Sequence, residues 1–175
     1  ELRDLRRSRL GMVFQSFALL PHRTVEDNIA FGLEIQGHTA DHRLATAQDW
    51  VGRIGLDGFA TAYPHELSGG MRQRVGLARA LATGADVLLM DEPFSALDPL
   101  IRREMQDLLI SLEQDLKRTI VFVTHDLAEA IKLGTRIAIL RDGRIVQTGT
   151  GSDILDTPAD DYVRAFTEDL RISRS

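Results

Sequence analysis

The chain predicts an α/β fold built on a mostly parallel sheet, with a helical block inserted after its first strand. Three observations carry that prediction. Apolar runs of strand length end in polar residues at Gln15, Asp91 and His125. The last two runs are separated by a long amphipathic stretch, the order in which a helical crossover joins parallel strands. Between the first two runs, helical spacing takes over.

Taken in order, "LGMVF" from Leu10 to Phe14 is the first strand, and Gln15 closes it. Thr24 caps a helix through "VEDNIAFGLEIQ" that stops at Gly37. Leu44, Ala47, Val51 and Ile54 recur at helical spacing before Gly55, which places them on the inward face of a second helix. The stretch from Gly55 to Leu67, with Gly58 and Pro64, reads as mostly loop. Ser68, Gly69 and Gly70 then open a helix whose inward face is Met71, Val75, Ala78 and Leu81. "DVLLMD", Asp86 to Asp91, is the next strand. Asp98 and Pro99 are the cap and first-turn residue of a long helix with Ile101, Met105, Leu108, Leu112 and Leu116 inward. "TIVFVTH" ends the third strand at His125, and Asp126 with Glu129 resembles a capping box for a helix that Gly134 ends. "TRIAIL" and "RIVQTG" flank Asp142-Gly143, a hairpin signal that predicts an antiparallel edge on the sheet. Pro158 is expected to open a last amphipathic helix through Phe166.

Composition narrows the function classes. The 175 residues are 43% hydrophobic, enough for one domain with a real core. With 21 basic against 26 acidic residues and a net charge of -5, there is no electrostatic case for nucleic acid, so any phosphate must be met locally. No apolar run approaches the roughly 18 residues of a membrane span, and "ELRDLRRSRL" does not look like a signal peptide. Zero cysteines exclude disulfides and thiolate metal sites, and the 5 histidines show no metal-ligand spacing.

The chemistry gathers at the carboxyl ends of the strands, where ligands bind open parallel sheets. Asp91 and Glu92 emerge together and repel unless a cation intervenes. A Mg²⁺ ion held by Asp91 through water and by nucleotide phosphates resolves that conflict, leaving Glu92 free as general base on a water. The same pair also reads as an ordinary exposed acidic strand end. His125, before a helix start, can donate to a phosphate or simply satisfy loop carbonyls. Gln15 can orient a water, touch the metal or solvate a turn. Ser68, Gly69 and Gly70 combine free N–H groups, about half a unit of positive dipole charge and no side chains that block approach, which makes an anion site. The plainer reading is an N-cap with glycine turns, with Arg72, Arg74 and Arg79 as a solvated face.

The ordered set of strand-end Gln15, "LSGGM", "VLLMDE", "SALD" and His125 resembles the ATP-binding domain of ABC transporters over essentially the whole chain. Gln15 matches the family's Q-loop, Ser68 to Gly70 the signature motif, Asp91 and Glu92 the Walker B strand, Ser95 to Asp98 the D-loop, and His125 the switch histidine. The finer likeness, in "FQSFALLPHRTVEDNIAFGLEIQG", "YPHELSGGMRQRVGLARALA", "FSALDPLIRREMQDLL" and "DTPADDYVRAF", is to the quaternary amine (glycine betaine, proline, choline) importers. Met71 stands where many members have glutamine.

The resemblance implies a partial P-loop NTPase core over 1–19 and 84–155, a helical signature subdomain over 20–83, and a C-terminal helix and extension over 156–175. It implies ATP and Mg²⁺ as cofactors, with Glu92 and His125 catalytic. Gln15, Ser68, Gly69, Gly70, Asp91 and Asp98 bind the nucleotide, and Gln15 and Asp91 serve the metal. It implies a second ATP-binding subunit in a head-to-tail homodimer, a membrane permease, an indirect substrate-binding partner and a place on the cytoplasmic face of the membrane. The only lysines, Lys117 and Lys132, follow no glycine, so the chain holds no G-x-x-x-x-G-K-[ST] loop. The family places that loop before Gln15, so the sequence looks truncated at its N-terminus and is expected to be inactive and marginally stable alone. A non-hydrolysing, degenerate subunit and an importer for another solute are the alternatives. Chromosome-type relatives would need a coiled coil between Gln15 and Ser68, and ribosome-acting ones a second cassette; neither pattern occurs here.

Overall fold

A computed structural model of the chain describes residues 9–13, 19–116 and 118–172. It divides into two compact units, Glu1–Val123 and Thr124–Ser175.

In the first unit three strands, β1 (Leu10–Val13), β2 (Val87–Asp91) and β3 (Thr119–Val123), form a parallel sheet in the order β1-β2-β3. Register places Met12 beside Leu89 and Leu89 beside Val121, with Asp91 beside Val123 at the tip. Gly11, Val13, Leu88 and Met90 point to the buried face, while Met12, Val121 and Val123 lie exposed on the other. A Cβ at Gly11 would stand 2.9 Å from Leu88 Cδ1, so any larger residue there would make the Leu88 side chain shift.

Between β1 and β2 lie α1 (Val25–Gln36), α2 (Ala40–Arg53), a short 3₁₀ turn (Pro64–Glu66) and α3 (Gly69–Ala82). Thr24 caps α1 as expected, its hydroxyl accepting from Asp27 N–H, and Gly37 ends it at φ 86°. Fully buried Asn28 ties α1 to the segment before it. Its amide donates to the carbonyls of Leu20, Arg23 and Thr24, and its oxygen accepts from Leu20 N–H at 2.8 Å. Helix α1 packs against both α2 and α3. A Cβ at Gly32 would collide with the Thr83 methyl at the end of α3, where the Gln36 amide also donates to the Thr83 carbonyl.

The inward face of α2 differs from expectation in one residue. Leu44 is 47% exposed, and Trp50 is buried with Ala47 and Val51 instead. Trp50 lies three residues after Ala47 and four before Ile54, on the face they share, and its larger ring removes more apolar area from water. Helix α4 (Pro99–Leu116) crosses from β2 to β3 and buries Met105, Leu109 and Leu112, with Leu108 only half-buried.

The second unit contains α5 (Leu127–Leu133), β4 (Ile137–Arg141), β5 (Arg144–Gly149), α6 (Gly151–Asp156), α7 (Asp161–Phe166) and α8 (Glu168–Ile172). Its core is Leu127, Ile137, Ile139, Ile154 and Val163. Asp142 and Gly143 take φ 51° and 74°, the left-handed pair that a two-residue hairpin requires. The hairpin was expected to edge the parallel sheet. Among the described residues it is a two-stranded antiparallel sheet of its own. The tail also departs from expectation, because Pro158 lies between α6 and α7 and starts neither. Asp160 caps α7 by accepting from Val163 N–H at 2.8 Å, and Thr150 with Asp153 forms the capping box of α6.

Candidate functional site

Ser68 caps helix α3: its backbone is extended, and its hydroxyl accepts from Met71 N–H at 3.3 Å. Helical geometry leaves the N–H groups of Gly69 and Gly70 without an intrahelical acceptor. The first turn of α3 carries no acidic residue, in contrast to Glu26 and Asp27 at α1, so no side chain of that turn offsets the positive dipole end. A Cβ on Gly69 would meet nothing within 4 Å, whereas one on Gly70 would meet Ile101 Cδ1 at 3.2 Å. Gly69 therefore faces open space, and Gly70 lets α3 lie against the first turn of α4.

Of the arginines of α3, Arg72 is exposed while Arg74 and Arg79 are half-buried, and each of the first two makes specific contacts. Arg72 donates to the Leu67 carbonyl at 2.6 Å, fixing the approach to the cap. Arg74 donates to the Ile54 carbonyl and pairs with Glu104 of α4 at 3.0 Å. Burial lowers the pKa of Arg79 from its ordinary value.

At the tip of β2, Asp91 is exposed and Glu92 turns away from the strand with φ 43°. That left-handed conformation is uncommon for a residue with a Cβ and survives only where the surroundings hold it. Glu92 N–H donates to the Val123 carbonyl at 2.9 Å, and the Glu92 carbonyl accepts from the N–H and hydroxyl of Ser95 at 3.3 and 3.0 Å. Asp98 closes the turn: one carboxylate oxygen accepts from Leu100 and Ile101 N–H, both at 3.1 Å, capping α4. Arg102, one turn into α4, reaches back to the carbonyls of Phe94 and Leu97. Its contribution was not read from the sequence, although an arginine four residues after a helix cap is within reach of the turn before it.

The structure thus places Asp91, Glu92 and Asp98 along the single connection from β2 to α4, and packing of Gly70 on Ile101 brings the Ser68 helix start alongside the helix that this connection feeds. His125 is exposed and opens the second unit just before the Asp126 cap of α5. Gln15 lies outside the described residues. Among the described residues no group of three or more His, Asp or Glu could hold a metal ion by side chains alone.

The family model described as ABC transporter matches residues 1–95. The chain belongs to the ABC transporter family. Its parallel sheet and crossover helices are part of that family's P-loop NTPase fold. The ABC chain is 59% identical over 174 residues to the glycine betaine/proline betaine transport system ATP-binding protein ProV of Salmonella typhimurium. It is 52% identical to the glycine betaine transport ATP-binding protein OpuAA of Bacillus subtilis. It is 54% identical over 170 residues to the trimethylamine N-oxide transport system ATP-binding protein TmoW of Pelagibacter ubique. These matches cover 99%, 99% and 97% of the chain, and 44%, 42% and 50% of the relatives' own lengths. No helix among the described residues is long and apolar enough to cross a membrane.

Proposed function

We propose that this chain is part of the ATP-binding and ATP-hydrolysing subunit of an importer for osmoprotectants such as glycine betaine or proline. The observation that carries the reading is the turn at the carboxyl end of β2. It pairs an exposed Asp91 with a Glu92 held in left-handed backbone, beside a helix start free of acidic side chains. The printed names of the most similar relatives support the solute class.

The residues present suit ATP and Mg²⁺. Gly69 is exposed and a Cβ on it would meet nothing within 4 Å, which leaves room for phosphate oxygens at this helix start, and exposed Asp91 offers the hard oxygen that Mg²⁺ prefers. Ser68, Gly69 and Gly70 would hold phosphate, Gln15 and Asp91 the metal, and Asp98 would lie at the nucleotide. Bound Mg²⁺ would withdraw charge from the phosphates. Glu92 would accept a proton from the attacking water at its carboxylate, and His125 would donate to the terminal phosphate.

In this reading two subunits meet head to tail, so the Ser68 helix start serves nucleotide bound by the other copy. Residues 20–83 would form the helical part that meets the permease. Residues 1–19 with 84–155 would belong to the ATPase core, and 156–175 to a C-terminal extension. The subunit would lie at the cytoplasmic face of the membrane, linked through its permease to a substrate-binding protein. The test is Glu92→Gln in the protein expressed from its complete gene. Turnover should fall by about 10²–10⁴-fold, the usual worth of a general base. Undiminished turnover would refute the assignment. Uptake by the assembled system, with betaine, proline and choline in competition, tests the solute class, and failure of all three would refute it.

A further inference from the structure

We infer that Arg102 is a positioning residue for the acid turn, its guanidinium holding the backbone in the shape that aims Glu92. The inference rests on the reading of Glu92 as the base. Between Asp91 and Pro99 the chain has no helix or strand, yet Glu92 keeps φ 43°. Such a conformation persists in an L residue only when neighbouring contacts over-determine it.

Those contacts form a short chain. Glu92 is fixed to β3 through the Val123 carbonyl and to Ser95 through its own carbonyl. Two residues after Ser95, Leu97 N–H donates to the Phe94 carbonyl at 3.2 Å. Arg102 Nε donates to the same Phe94 carbonyl, and Nη2 donates to the Leu97 carbonyl, each at 3.2 Å. One half-buried guanidinium therefore spans both ends of the Phe94–Leu97 turn, while the buried Phe94 and Leu97 side chains anchor it from within. Arg102 also sits in the first turn of α4, its own N–H bonded to the Asp98 carbonyl at 2.9 Å, so the fork is fixed relative to the Asp98 cap.

Two carbonyls served by one planar fork is an arrangement that a lysine, a point charge on a flexible stem, cannot reproduce. Without the fork, the turn loses its tie to α4, and the backbone following Glu92 can relax. A base displaced by a fraction of an ångström loses rate while nucleotide binding elsewhere persists.

The experiment measures steady-state ATP hydrolysis and melting temperature in the transporter assembled from complete genes. It compares Arg102→Ala, Arg102→Lys, Glu92→Gln and, as a control for charge, Arg103→Ala on the exposed side of the same helix. Arg102→Ala should lower kcat by about tenfold or more with KM for ATP within about twofold, the signature of an interaction that matters only in the transition state. Arg102→Lys should fall between it and the parent, and Arg103→Ala should stay within about twofold of the parent. A kcat for Arg102→Lys equal to the parent's, or for Arg102→Ala within twofold of it at any melting temperature, would overturn the inference. So would a rise in KM at constant kcat. If Arg102→Ala does not fold, the Arg102→Lys arm decides. Should Glu92→Gln turn over normally, the base reading fails and this inference fails with it. Should Glu92→Gln be inactive while Arg102→Ala is normal, only the role of Arg102 is lost.

Discussion

Replacing Gly69 with alanine separates stability from function at the helix start. An added Cβ there would meet no atom within 4 Å, and Gly69 is not among the glycines of positive φ, so the change introduces neither clash nor backbone strain. Alanine restricts the unfolded chain and favours the helix, which at a first-turn position should add about 0.5 kcal/mol, the lower end of the glycine-to-alanine range. For a domain of this size that is a rise of about 1–2 °C in melting temperature. Activity should move the other way. Alanine retains the N–H, but a methyl group at this helix start should crowd a phosphate held there and lower kcat, by at most the about 10²–10³-fold that loss of a whole donor costs. Scanning calorimetry and ATP hydrolysis on the same preparation read both quantities. A lower melting temperature would show that Gly69 has a packing role. Unchanged hydrolysis would refute the anion site. Gly70→Ala is the internal comparison, because its Cβ presses on Ile101 at 3.2 Å and should forfeit the stability gain.

Asn28→Ala removes the acceptor of the half-buried Leu20 N–H and the amide donor to three carbonyls, of which those of Leu20 and Thr24 keep backbone N–H partners, so it should destabilise by about 1–3 kcal/mol, read as a lower urea midpoint at unchanged slope. A loss under about 0.5 kcal/mol would mean that water replaces the amide. Hydrogen bonds from the Thr150 backbone and then its hydroxyl hold the Asp153 carboxyl below its ordinary range. A depressed carboxyl stabilises the fold above its unfolded pKa, and that contribution disappears as pH falls through the folded value. Asp153→Asn should therefore flatten the acid limb of a melting-temperature profile, and a limb identical to the parent's would contradict the capping box.

What was legible in the sequence was chiefly local. Thr24, Ser68, Asp98 and Asp126 cap helices because a side-chain oxygen and a nearby N–H suffice, and Asp142-Gly143 turns because its backbone tolerates positive φ. What escaped depends on neighbours distant in the chain. Nothing in α2 alone says that Trp50 turns inward while Leu44 stays in water. Periodicity cannot show that, among the described residues, the hairpin forms a sheet of its own, nor that Asp160 claims the start of α7 from Pro158. At the candidate site the acid pair and the Ser-Gly-Gly start were readable as residue types. The left-handed backbone of Glu92 and the reach of Arg102 were not, since both are set by carbonyls that become available only when the turn has closed.

The close approach of Gly32 to Thr83 bears on how α3 can move. The helix has 14 residues and is about 21 Å long at 1.5 Å per residue. At its far end α1 touches it backbone to methyl, with no deformable side chain between them, and the Gln36 amide grips the same residue. At its near end Ile101 and the Arg74–Glu104 pair hold it against α4. It is a beam supported at both ends. The position of the Ser68 cap therefore depends on how α1 and α4 pack against the two ends of this one helix.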